Sequence, residues 1–416
     1  MGTIHIFGGK KLCGQTTIQG SKNAVLPILA ATLLIPGISV IENCPDITDV
    51  SLMIKLLQSV GCLVVREEHT VIVDASHIKG IKLPAEYVTK MRSSIMLMGS
   101  MLGRLREVFI DYPGGCVIGE RPIDMHIHAL RHLGIDFEKE ENRLWAHTEK
   151  IIGNDVVLPF ASVGATENVI LAAVLAEGVT VLKNAAKEPE IIALCEFLNG
   201  AGAEIKGIGT DTIEITGVLD LQEGYYAVPS DRIVAGTYLL ACAGCGGEIQ
   251  LNHVNTTHLQ SVYACLEKMG AVLEYDEHSI QMRMHQRLRM VPYVQTAVYP
   301  GFPTDLQSPL MAVLSIAEGT GIIEEAIFEN RFHVVKELQA MGADIQTVGP
   351  YAKICGVECL HGKNVVAEEL RGGAALVVAG LLAHGVTTVE NRMFIDRGYE
   401  DICLDLKNLG AGINMK

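Results

Sequence analysis

Six times along this 416-residue chain, a helical apolar pattern stops at a glycine and a short strand pattern begins. The segments read LLQSVGCLVV, LRHLGIDF, LNGAGAEI, LEKMGAVL, LQAMGADI and LKNLGAGI. Their glycines, Gly61, Gly134, Gly202, Gly270, Gly342 and Gly410, stand 73, 68, 68, 72 and 68 residues apart. A glycine there suits the left-handed residue that closes a helix, a conformation other side chains resist. A fixed period means that one supersecondary unit is built six times, and this limits the fold more than any single motif.

Each copy has the same grammar. A strongly apolar first helix runs into a turn such as Pro36-Gly37, Glu177-Gly178, Glu318-Gly319 or His384-Gly385. A strand follows, for example VTVLKN or VTTVEN, then a loop, then the second helix that ends at the glycine. Strands of period 2 alternating with helices of period 3.6 predict an α/β repeat. A unit of roughly 70 residues exceeds ordinary solenoid repeats, which predicts closed packing of three units per domain. The chain is also too long for one core, so two domains are expected.

Composition removes several classes. A net charge of −15 with no basic stripe argues against a nucleic-acid binder, although a few arginines can still dominate one anion site. The longest apolar stretch, residues 24–41, is broken by Pro27 and Pro36-Gly37, so it reads as buried helix, turn and strand instead of a membrane span. The start MGTIHIFGGKKL has no apolar signal core, and a cytoplasmic protein is expected. Cys242 with Cys245 and Cys355 with Cys359 are the close cysteine pairs; neither has a second pair or histidine cluster at zinc spacing, so free thiols are expected. His126 and His128 would point to different faces of a helix, and Gly200-Ala-Gly202 ends a helix instead of opening one. No metal site and no dinucleotide fingerprint follow from these strings.

Aligning the copies brings two loops into register. The loop before the first helix carries Ser21-Lys22-Asn23, Arg92, Ser162-Val163-Gly164, Asp231-Arg232, Asp305 and Glu369-Leu370-Arg371. The loop before the second helix carries Asp46 and Asp49, Gly114-Gly115-Cys116, Glu188 and Glu190, His258, Asn330-Arg331 and Asp396-Arg397. Ser21, Ser162, Asp231 and Asp305 suit helix N-caps, which accept backbone N–H groups. Capping does not explain Lys22, Arg92, Arg232 and Arg371, because a cation at a helix N-terminus opposes the helix dipole. An anion between these cations and the backbone N–H groups resolves the conflict, which points to a phosphate or carboxylate site.

The string PGGCVIGERP, residues 113–122, sets Cys116 among glycines and within five residues of Arg121. Nearby positive charge favours a thiolate, so Cys116 is the candidate reactive thiol among eleven cysteines.

In GSKNAVLPIL, PGGCVIGERPIDMH, SVGATENV, FPTDLQ, FENRF and IDRGYE, the chain resembles the UDP-N-acetylglucosamine 1-carboxyvinyltransferases over essentially its full length. These are the enolpyruvyl transferases that open bacterial peptidoglycan synthesis; the shikimate-pathway enolpyruvyl transferases share the fold but match more loosely. The resemblance implies a two-domain inside-out α/β barrel of EPSP synthase type, with six βαβαββ repeats, three per domain. Residues 21–230 would form the first domain, and residues 1–20 with 231–416 the second, the N-terminal strands completing it. The active site would lie in a cleft between them that closes on substrate.

The resemblance also assigns roles. Lys22, Asn23, Arg121, Arg331, Arg371 and Arg397 would hold phosphoenolpyruvate. Arg92, Arg121, Pro122, Ile123, Asp124, Met125, Ser162, Val163, Gly164, Asp305 and Ile327 would contact UDP-N-acetylglucosamine. Cys116 would be the acid, Asp305 the group beside the sugar 3-hydroxyl, and Lys22 and Arg397 part of the catalytic set. No cofactor and no metal are implied, and the partners are the two substrates, with neither nucleic acid nor membrane; a homo-oligomer is compatible. Two positions depart from the family's habit: Glu369 stands where aspartate is common, and Phe160-Ala161 where some members carry a lysine.

Overall fold

The computed structural model describes residues 2–114 and 123–416. All six predicted cap glycines have positive φ, from 83° at Gly134 to 108° at Gly61. The described residues gather into two compact units, one of residues 20–114 and 123–229, the other of residues 2–19 and 230–416.

One motif recurs in both units, and it is plainest where the chain supplies it in a single run. Strand Asp155–Val157 leads to helix Val163–Ala173, strand Val179–Lys183, helix Pro189–Gly200, and strands Glu204–Lys206 and Thr212–Thr216. Asp155–Val157 lies parallel to Val179–Lys183, with Val156 opposite Leu182. Parallel neighbours need a crossover connection, which the helix provides. The other face of Val179–Lys183 pairs antiparallel with Thr212–Thr216, which pairs in turn with Glu204–Lys206. This is a βαβαββ unit.

Some copies take strands from distant sequence. Gly224–Ala227 pairs parallel with Ile38–Glu42, and Leu12–Thr17 pairs parallel with Gly247–Asn252. Ile4–Phe7 lies between Val386–Glu390 and Gly412–Met415 and completes their sheet. The N-terminal strands therefore close two sheets of the unit that holds residues 230–416. The architecture is the expected six-repeat α/β fold, with six sheets among the described residues.

The first helix of each copy is apolar around its circumference and must be enclosed on all sides. Lys22–Ala31, Met96–Leu105 and Val163–Ala173 fill the middle of one unit. Arg232–Cys245, Gln307–Leu314 and Leu370–Leu382 fill the other, and every residue of Leu370–Leu382 is buried. The sheets cover these helices with alternate residues turned inward, such as Ile213 and Ile215. Met96–Leu105 approaches Val163–Ala173 closely through glycine: a Cβ added at Gly103 would sit 2.7 Å from the Leu171 carbonyl oxygen. Residues 24–34 are part of this buried interior, and no helix among the described residues is long and apolar enough to cross a membrane.

Candidate active site

Asp305 departs from its expected role as a helix cap. It sits in the 3-10 turn Thr304–Leu306, and both its carboxylate oxygens turn to arginine. Arg331 Nη2 donates to Oδ1 at 2.8 Å and Arg371 Nη2 donates to Oδ2 at 2.8 Å. The two arginine side chains are 3% and 4% exposed, while that of Asp305 is 24% exposed. Burial opposes the charge on Arg371, but the Asp305 carboxylate foremost, with Tyr399 and Asp231, outweighs it and holds its pKa above the ordinary arginine value. Among the described residues, Arg331 Nε and Arg371 Nη1 are buried without a hydrogen-bond partner. Such charged donors have a strong demand for a further acceptor.

Glu369 caps the helix Leu370–Leu382: its carboxylate accepts from Arg371 N at 2.7 Å and from Gly372 N. Glu369 thus fixes the backbone from which Arg371 projects.

Glu325 belongs to this site but carries no motif in the sequence. This buried carboxylate accepts from Thr296 Oγ1 and Thr304 Oγ1 at 2.9 Å, from Ile327 N at 2.9 Å and from Phe328 N at 3.1 Å. It thereby fixes Thr304, next to Asp305, and Ile327. Its two hydroxyl partners lie 29 and 21 positions back along the chain, so the sequence does not set it apart from its neighbour Glu324. Glu325→Ala strands four donors and is expected to cost about 1–3 kcal/mol in a denaturant titration. A loss under about 0.5 kcal/mol would mean that this network fixes nothing.

Apart from Arg397, the remaining described candidates lie on the other unit. Ser21 caps the helix Lys22–Ala31 through Ala24 N, and Lys22 Nζ lies 3.3 Å from Asp49 Oδ2. An anion beside Lys22 is therefore a carboxylate of the protein itself, wholly buried in the first turn of Thr48–Ser59. Asn23 follows Lys22 and is half-buried. Arg92 opens a 3-10 turn and donates from Nη1 to the Pro113 carbonyl at 3.4 Å. At Gly114 a side chain would collide with the Thr89 carbonyl, which is why the backbone there needs glycine.

Ile123 and Asp124–Met125 begin the helix Asp124–Arg131, and Ser162, Val163 and Gly164 begin the helix Val163–Ala173. His126 and Asn168 knit these starts together. Asn168 Nδ2 donates to His126 Nδ1 at 3.0 Å and to the Gly164 carbonyl at 3.2 Å, while its Oδ1 accepts from Gly99 N at 2.8 Å. The neutral His126 ring with its proton on Nε2 fits this pattern. His128 is exposed and stacks edge-on with His132.

Ser21, Ser162 and Asp231 do cap helices, as expected; Asp305 does not. Arg397 ends the 3-10 helix Arg392–Arg397 and is half-buried. Cys116, Arg121 and Pro122 lie outside the described residues. The ten described cysteines are free, and burial pushes Cys44, Cys62, Cys195, Cys242, Cys265 and Cys403 up to about 12. Such thiols stay protonated and inert near neutral pH.

The family model for EPSP synthase (3-phosphoshikimate 1-carboxyvinyltransferase) matches residues 6–406. This chain belongs to the EPSP synthase family. Within that family it is 47% identical to UDP-N-acetylglucosamine 1-carboxyvinyltransferase 2 of Caldanaerobacter subterraneus subsp. tengcongensis, over 99% of each chain. It is 44% identical to the protein of the same name from Clostridium acetobutylicum, again over 99% of each. Among solved structures, the enolpyruvyl transferase NikO from Streptomyces tendae superposes with a TM-score of 0.91 at 23% identity, covering 100% of this chain and 99% of its own. An EPSP synthase from Acinetobacter baumannii gives 0.76 at 18%, covering 100% of both. At those identities the two structures speak for the fold alone.

Proposed function

We infer that this chain transfers the enolpyruvyl group of phosphoenolpyruvate to the 3-hydroxyl of UDP-N-acetylglucosamine and releases phosphate, the first committed step of peptidoglycan precursor synthesis. The observation that carries this reading is the 47% identity, over 99% of both chains, to a UDP-N-acetylglucosamine 1-carboxyvinyltransferase. The same reading implies a cytoplasmic enzyme whose partners are its two substrates.

The chemistry is an addition followed by an elimination. The sugar 3-oxygen bonds to C2 of phosphoenolpyruvate while C3 takes a proton, which we assign to Cys116. The hydroxyl proton passes to a base, and Asp305 is suited to that role. Loss of a C3 proton and cleavage of the C2–O bond then expel phosphate and restore the double bond. Arg121, Arg331, Arg371 and Arg397, with Lys22 and Asn23, serve the phosphate and carboxylate, where arginine's forked donors fit best. Arg331 Nε and Arg371 Nη1, which have no hydrogen-bond partner among the described residues, support an anion in their neighbourhood. Arg92, Arg121 to Met125, Ser162 to Gly164 and Ile327 serve the nucleotide sugar.

The test is phosphate release from phosphoenolpyruvate, with UDP-N-acetylglucosamine or shikimate 3-phosphate as acceptor. Release that requires the nucleotide sugar is expected, and release only with shikimate 3-phosphate would overturn the acceptor. Cys116→Ser is expected to lower the rate about 100-fold, the scale of a positioned acid; an undiminished rate removes Cys116 from that role.

A further inference from the structure

We propose that Gln19 is the positioning residue for Arg397, setting affinity for phosphoenolpyruvate and not for the nucleotide sugar; this rests on the functional reading above. Gln19 is buried just after the strand Leu12–Thr17, and its side-chain amide is engaged at both ends. Nε2 donates to the Gly398 carbonyl at 3.2 Å, and Oε1 accepts from Glu400 N at 2.8 Å. These two groups flank the backbone immediately after Arg397.

Arg397 sits at the end of a 3-10 helix, where backbone carbonyls lack internal partners. Gly398 N and Tyr399 N turn back to the Ile395 carbonyl at 3.0 and 3.1 Å, fixing this segment from one side. Gln19 fixes it from the other side. The Gln19 carbonyl also accepts from Asp231 N at 2.9 Å, and Asp231 caps the inner helix Arg232–Cys245. Gln19 thus ties the exit from Arg397 to the start of a buried helix. Only an amide side chain offers a neutral donor and acceptor side by side, and asparagine is one methylene shorter. An arginine fork binds both oxygens of an anion only when its backbone is held, so small displacements weaken binding steeply.

Gln19→Met keeps side-chain length and removes both hydrogen bonds. Phosphoenolpyruvate affinity is read by titration calorimetry and by KM, beside kcat, the KM for UDP-N-acetylglucosamine and the unfolding midpoint. The phosphoenolpyruvate Kd and KM are expected to rise roughly tenfold, with kcat and the nucleotide-sugar KM within about twofold. On an Arg397→Lys background the same change is expected to add less than about twofold, since the two residues act as one. Unaltered phosphoenolpyruvate affinity, or an equal rise in KM for both substrates, overturns the proposal. Gln19→Glu keeps the acceptor for Glu400 N and serves if the methionine variant does not fold; unchanged affinity there overturns it equally. A parent chain that releases no phosphate counts against the functional reading, whereas Gln19 is judged on affinity alone.

Discussion

Asp305→Ala is expected to cost about 3 kcal/mol of stability and to slow phosphate release roughly 1000-fold. The stability loss follows from the two guanidinium groups that share this carboxylate, each at 2.8 Å and each almost wholly buried. Removing one partner of a buried ion pair leaves an uncompensated charge, at about 3–5 kcal/mol. The partial exposure of Asp305 puts the expectation at the low end of that range. The rate loss combines a missing base, worth about 100- to 10,000-fold, with arginines no longer held in place. Asp305→Asn separates the two effects, because the amide keeps the shape and can still accept from one arginine. It is expected to recover part of the stability and little of the rate. A further consequence is that inorganic phosphate stabilises Asp305→Ala more than the parent, since the vacated site presents two unpaired guanidinium groups. Parent-like denaturant midpoints for Asp305→Ala would contradict the ion-pair account.

Glu167→Met is expected to stabilise the protein, and by more as pH rises. Glu167 lies in the middle of the helix Val163–Ala173, fully buried, and neither carboxylate oxygen has a hydrogen-bond partner among the described residues. Burial, and then repulsion from Glu190 and Glu188, raise its pKa well above the ordinary 4.5. The sign follows from proton binding. Between 4.5 and the raised folded value, the folded state keeps a proton that the unfolded state has lost, so stability falls as pH increases. Below the unfolded value the two states bind the proton alike and the penalty vanishes. The difference in unfolding free energy between the methionine variant and the parent is therefore expected to widen by up to about 1.4 kcal/mol per pH unit from pH 5 upward. The other titrating groups are common to both chains and largely cancel in the comparison. A difference that stays flat from pH 5 to pH 8 would show Glu167 to be ionised or solvated in the folded protein. The change also tests whether a neutral carboxyl in this helix matters for turnover, since Glu188 and Glu190 stand at the start of the helix Pro189–Gly200, in the segment that aligns with Cys116 and Arg397.

How much of this could be read in advance depends on how far apart the interacting groups are. The six cap glycines are visible because helix termination depends on φ at one residue and on apolar spacing just before it. The caps Ser21, Ser162 and Asp231 are visible for the same reason, each reaching a backbone N–H two or three positions on. Asp305 looks identical to them in sequence, yet its carboxylate goes to Arg331 and Arg371, 26 and 66 positions away. Glu325 carries the same warning, since Thr296 and Thr304 reach it only after the chain has folded.

The repeat, the α/β class and the two loop families that carry charge are legible in the residues, because periodicity and turn chemistry act over a few positions. The sequence also carried the resemblance that assigned the reaction. Only folding sets which carboxylate faces which cation: Asp49 for Lys22, Asp305 for Arg331 and Arg371, and, among the described residues, no hydrogen-bonding partner for Glu167. It also decided that Gln19 reaches past Arg397, about 380 positions along the chain. The physical reason is that pairing and desolvation depend on distance and burial in space. Those quantities come into being only when loops from different repeats are brought to the ends of the same buried helices.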